Sequence, residues 1–259
     1  MVAARHVTIA SWQQLYASEL QGVWAQWVVP ALFLVFLGTR GQAAGGMAPR
    51  AAPFVRAYAV VFALETMLDP FAGGPLLRWL GLAGGGAQTA VMVLFVLVGD
   101  FRVFLLASVL GAPAGDGRLR VRDVAAACGW TLVVPIVAVA GEAAVRATVV
   151  APPEQAIWIV YEIAFVVMAL VWRHAIVPAR VPPERVAVRA YLQALWGYVA
   201  IYYALWAAAD LLIVAGLDAG WALRLVPNQL YYAWYVPFVY WRFFSSLYAA
   251  TSSSTHASR

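Results

Sequence analysis

Seven long apolar stretches, separated by short segments rich in Gly, Pro and Arg, constrain this chain more than any other feature. They run from about Gly22 to Gly38, Phe54 to Asp69, Gly85 to Leu110, Val124 to Ala144, Glu154 to Trp172, Val188 to Ala215 and Leu223 to Phe244. A helix of about 20 apolar residues spans the hydrocarbon core of a bilayer. Within that core every backbone polar group has to be satisfied by its own segment, which leaves helices as the spanning form. The sequence therefore predicts an all-α, polytopic membrane protein with seven transmembrane helices. It forms a single domain over residues 1–251, and the polar tail 252–259 is expected to be disordered.

Composition excludes a soluble class. Charged residues make up 11% of the chain, against about 25% in soluble domains. The mean hydropathy is +0.79, and the surplus apolar surface has to face lipid. All 17 basic residues other than His are Arg, with no Lys. With so much Ala, Val, Leu and Gly, that usage suggests a GC-rich bacterial genome, and hence the inner membrane. The Arg lie in loops and at helix ends, where they anchor and orient helices, so the basic balance does not point to nucleic acid. Cys128 is the only cysteine and excludes an intrachain disulfide. Met1–Leu20 has no apolar core of the kind a cleavable signal peptide carries, so the first helix is expected to direct insertion.

Orientation follows from the Arg. Twelve fall on one side of the seven stretches, while Arg5, Arg78, Arg146 and Arg224 fall on the other. That asymmetry predicts N-out and C-in. A weak internal repeat is also visible. Asp69 closes the second stretch and is followed 33 residues later by Arg102; Asp210 closes the sixth and is followed 32 residues later by Arg242. Each Arg follows an aromatic residue, as Arg173 also does. A three-one-three grouping results, in a setting where parallel repeats are familiar among transporters. An aromatic-Arg pair at a cytoplasmic helix end is equally an ordinary interfacial anchor. In topology alone the plan is similar to SWEET sugar transporters and microbial rhodopsins. There is no Pro-Gln pair, and no Lys to form a retinal Schiff base, so no family is assigned.

Charged residues inside a membrane cost about 2.5–3.5 kcal/mol each on insertion scales and mark functional positions. Glu65, Asp69, Glu162 and Asp210 all fall in the outer half. Glu65 and Asp69 are four apart and share a helix face. Plainer roles suit some acids: Asp69 precedes Pro70 near the headgroups, Glu142 is spaced to pair with Arg146, and Glu154 sits in a first turn. Glu162 lies in a purely apolar run between Trp158, Tyr161 and Phe165 and has no such role. Glu65 and Glu162 are therefore the leading functional pair. Aromatic residues run through the last two stretches rather than gathering in two belts, and midplane Tyr hydroxyls need partners. Tyr198, Tyr202 and Tyr235 with Gln229 are expected to complete an outward pocket that suits a cation, an amine or a proton-coupled solute. Asp100 and Arg102 are two apart and cannot face each other; Asp100 is expected to pair with Arg173 or Arg242 as a structural lock.

Familiar catalytic sets are missing. The three His lie in the termini or beside Arg173, and neither a G-x-S-x-G element nor a phosphate loop is present. No metal or cofactor is expected. The favoured reading is a small-solute transporter or permease. A membrane enzyme using Glu65 and Asp69 on a lipid or isoprenoid, and a seven-helix sensor or assembly partner docking through the basic loops, are the alternatives. Expected partners are membrane lipids, an unidentified small solute and, as a homo-oligomer, a second copy of the chain.

Overall fold

The computed structural model describes residues 11–39, 50–113 and 116–256, and among these the only regular elements are helices. A short helix α1 (Trp12–Tyr16) precedes α2 (Leu20–Thr39), α3 (Ala52–Trp79), α4 (Gly86–Gly111), α5 (Val121–Thr148), α6 (Glu154–Arg180) and α7 (Val186–Val214). The chain closes with α8, residues 219–256. The six helices α2 to α7 are long and apolar enough to cross a membrane. The seventh stretch is also one continuous helical run, but Arg224, Asn228, Gln229 and its tyrosines make it more polar than those six.

Two helices run on past the ends of their apolar stretches. Gly73, Gly74 and Pro75 do not end α3; a π turn, Ala72–Leu76, carries the helix through them to Trp79. A second π turn, Trp172–Ile176, extends α6 past Pro178 to Arg180. Proline removes one ladder hydrogen bond, and the wider π turn absorbs that local change without breaking the helix. The last helix is assigned through Ser252–His256. The end of the polar tail, 257–259, and Arg5, His6 and Arg40 lie outside the described residues.

Helix α4 is the axle of the bundle. From Gly99 to Gly111 all its residues but Phe101 are buried, and it packs against α3, α5 and α7. Its C-terminus is capped by a distant residue: Arg185 donates to the carbonyls of Leu110 (2.9 Å) and Ala112 (2.6 Å). An Arg at a helix C-terminus satisfies orphan carbonyls and favours the dipole there. The basic loop that the sequence offers for docking is thus partly committed to the fold. Arg118 and Arg120 likewise approach Asp116 (3.8 and 3.1 Å), and the backbone N–H of Arg118 helps hold the Asp116 carboxyl below its usual range. Gly117, at φ +71°, is required in that loop, since a Cβ would meet the Cα of Ala51 at 2.5 Å. Arg185→Gln is expected to lower stability by about 1–2 kcal/mol; an unchanged thermal midpoint would mean that water caps α4 equally well.

Candidate functional site

Two residues of α4 divide the buried polar groups between them. Successive helical residues turn by about 100°, so Asp100 and Arg102 leave the helix on nearly opposite sides. Arg102 is fully buried and faces α3 and α8. Its Nη1 lies 3.2 Å from Glu65 Oε2, and its Nη2 donates to the Tyr231 carbonyl at 2.9 Å. The guanidinium sits between the rings of Tyr231 (4.2 Å) and Tyr235 (4.4 Å), a geometry favourable to a cation. Tyr58 adds a brace, bonding to the Arg102 carbonyl (3.0 Å) and to the Tyr235 hydroxyl (3.1 Å).

Asp100 is also fully buried and faces α6 and α7. It accepts hydrogen bonds from the hydroxyls of Tyr161 and, at 2.5 Å, Tyr203. The expected lock to Arg173 or Arg242 is therefore not formed. Arg173 lies against Gly197, six residues before Tyr203 on α7, which is roughly 9 Å along the axis. Arg242 is seven residues beyond Tyr235 on α8, roughly another 10 Å away. The lock forms instead between Arg102 and Glu65.

Next to this layer, toward the end of the bundle that carries Glu162 and Arg224, opens a cavity of about 160 Å³. The rings of Tyr161, Tyr203 and Tyr231 line it on the side of the buried cluster, and Trp158 and Trp206 line it further out. Its charged and amide groups are Glu162, Arg224 and Asn228. Glu162 is 4% exposed, and its Oε2 has no hydrogen-bond partner. Arg224 Nε lies 2.9 Å from Asp210 Oδ1, an ion pair by distance although neither Asp210 oxygen is aligned for a hydrogen bond. Asn228 accepts from Trp206 Nε1 (2.8 Å) and donates to the Tyr16 hydroxyl (3.4 Å).

Helix α1 closes one side of this cavity. Ser11 caps it by accepting from the Gln14 N–H (3.2 Å), and Asp218, in the turn before α8, accepts the N–H of Trp12 (2.9 Å) and Gln13 (3.3 Å). Tyr16 then packs at a tilt against Trp221 and lies under the Arg224 guanidinium (5.3 Å). Tyr16, Asn228 and Tyr232 form a wall shared with a second cavity of about 380 Å³ between α2 and α3, which contains Asp69 and Gln26.

The acids expected to share one pocket are thus distributed over three places. Glu162, with Asp210 beside it, belongs to the first cavity, Asp69 to the second, and Glu65 to the Arg102 pair. Tyr235 lies under Arg102, and Tyr202 is fully buried behind the cavity, packed on Tyr203, Trp206 and Tyr231. Tyr198 turns outward, donating to the Leu230 carbonyl (2.7 Å) and stacking on Phe238 (4.3 Å) in an apolar surface groove. Gln229 lines neither cavity; its neighbour Asn228 lines both. The positions matched in the proposed repeat also differ: Asp69 lines an open cavity while Asp210 is paired, and Arg102 is buried while Arg242 has no carboxylate partner among the described residues. Glu142 forms its spaced ion pair with Arg146, at 2.7 Å.

Sequence reasoning missed Arg224, Tyr16 and Tyr203 as site residues. Arg224 carried a signal, since it stands four before Asn228 and shares its helix face. Tyr16 carried none, because it lies outside every apolar stretch. Comparison with protein-family models, with curated proteins and with solved structures finds no match.

Proposed function

We propose that this chain crosses a bacterial inner membrane seven times, N-out and C-in, and takes a small organic cation from outside into the Glu162 cavity for transport. One observation carries the reading: a carboxylate almost fully buried, with an oxygen that no protein group satisfies, facing a cavity walled by aromatic rings. An unpaired charge in such a place is costly, and a cationic ligand removes that cost. The other charged residue lining the cavity, Arg224, is matched by Asp210, so Glu162 is left over. Aromatic faces add the attraction that ammonium groups find in rings. The excess of Arg on one side supports the orientation. The reading does not depend on a repeat between the two helix triplets.

Uptake into proteoliposomes of a panel of small amines and quaternary ammonium ions tests it. Uptake is expected for at least one of them. Glu162→Gln should reduce it by at least about tenfold, the size of a lost charge-assisted contact, while Glu142→Gln stays near the parent. No uptake across the panel, or equal losses in the two variants, would remove the basis for the reading.

A further inference from the structure

The second outward cavity holds a carboxylate that the solute site does not use. Gln26 of α2 and Asp69 of α3 line it. Gln26 is 2% exposed, and its side-chain Oε1 has no hydrogen-bond partner. Asp69 is 8% exposed and faces the Tyr232 hydroxyl. The neighbouring charges are matched: Glu65, outside the cavity, is held by Arg102, and Glu19 and Arg78, which do line it, pair with each other. Asp69 therefore remains a carboxyl group without an ion-pair partner among the described residues.

The backbone around it is also altered. Pro30 stands four residues after Gln26 and has no N–H, so the Gln26 carbonyl lacks its ordinary helical donor. Two π turns, Leu20–Trp24 and Ala72–Leu76, border the cavity through Gly22, Gly73 and Gly74; such turns recur at functional sites. The groups on offer to a cation are a carboxylate, an amide oxygen and a hydroxyl, with no His or Cys among the lining residues. Sets made only of oxygen suit hard cations, and a single carboxyl group, ionised on binding, matches a monovalent ion.

We infer that Gln26 and Asp69 bind an alkali cation, with Na⁺ as its natural probe. Resting on the transport reading, this ion would be coupled to the solute, because Tyr16, Asn228 and Tyr232 wall both cavities. Ion binding itself does not require that reading.

The test is thermal unfolding of the full-length protein in detergent, comparing NaCl with N-methylglucamine chloride at constant ionic strength. A ligand that binds only the folded state raises its stability saturably. Na⁺ is expected to raise the midpoint by several degrees. Asp69→Asn and Gln26→Leu should each lose that rise, and Glu142→Gln should keep it. If Asp69→Asn fails to fold, Gln26→Leu supplies the same readout without touching a charge. Glu162→Gln is expected to keep the rise while losing uptake, so the two sites fail separately. An equal rise in N-methylglucamine, or a rise retained in both Asp69→Asn and Gln26→Leu, would overturn the inference.

Discussion

Replacing Arg102 with methionine is expected to destabilise the folded protein by about 3–5 kcal/mol, the usual loss when one partner of a buried ion pair is removed. Arg102 is fully buried and is the only cation within reach of the Glu65 carboxylate among the described residues. Its removal strands a charge in a region with almost no water. It also takes away a donor to the Tyr231 carbonyl and the cation held between Tyr231 and Tyr235. Methionine fills much of the volume, so the loss reads as electrostatic rather than as a cavity. The companion variant decides the cause. Arg102→Met combined with Glu65→Leu removes both charges and is expected to regain most of the loss, since replacing a whole buried pair by apolar groups is often close to neutral. Unfolding midpoints in detergent measure both. A double variant no better than the single one would mean that the Arg102–Glu65 pair is not what joins α3, α4 and α8.

Gly99→Ala is expected to cost about 3 kcal/mol, at the upper end for overpacking. A Cβ at this position would lie 1.7 Å from the Tyr231 hydroxyl and 2.7 Å from its Cζ, so the ring has to move. Tyr231 is not free to do so. Its carbonyl binds Arg102, its ring lies over the guanidinium, and it lines the Glu162 cavity. The same substitution should therefore reduce both stability and solute uptake. Gly99→Ala with Tyr231→Phe removes the nearest atom and is expected to recover part of the stability. A thermal midpoint unchanged in Gly99→Ala would show that α8 can shift away from α4 at little cost.

The helices were largely legible because a bilayer reduces the problem to length and hydropathy: α2 to α7 coincide with six apolar stretches. Their ends were less so. Gly73-Gly74-Pro75 reads as a break because glycine and proline usually end helices, yet here a π turn continues α3. Glu162 stood out because a lone acid in an apolar run has no local partner to account for it. The partners of Asp100 were not legible. Spacing along α4 gives the opposite directions of Asp100 and Arg102, but which residue each meets depends on the rotation and depth of neighbouring helices. That is why Tyr161 and Tyr203 meet Asp100 where Arg173 or Arg242 was expected, and why Arg102 finds Glu65. The same reason explains why Glu65 and Glu162, alike in sequence, have different environments: α4 separates them, and only Glu65 meets an arginine.

Equilibrium binding at the Glu162 cavity tests the account most directly. Trp158 and Trp206 line it and supply an intrinsic fluorescence signal. Titration with choline is expected to give a saturable change, at least about tenfold weaker in Glu162→Gln and unaltered in Glu142→Gln. The neutral isostere 3,3-dimethylbutanol should bind much more weakly than choline to the parent. Equal affinity for the charged and neutral ligands, or equal affinity of parent and Glu162→Gln for choline, would contradict it.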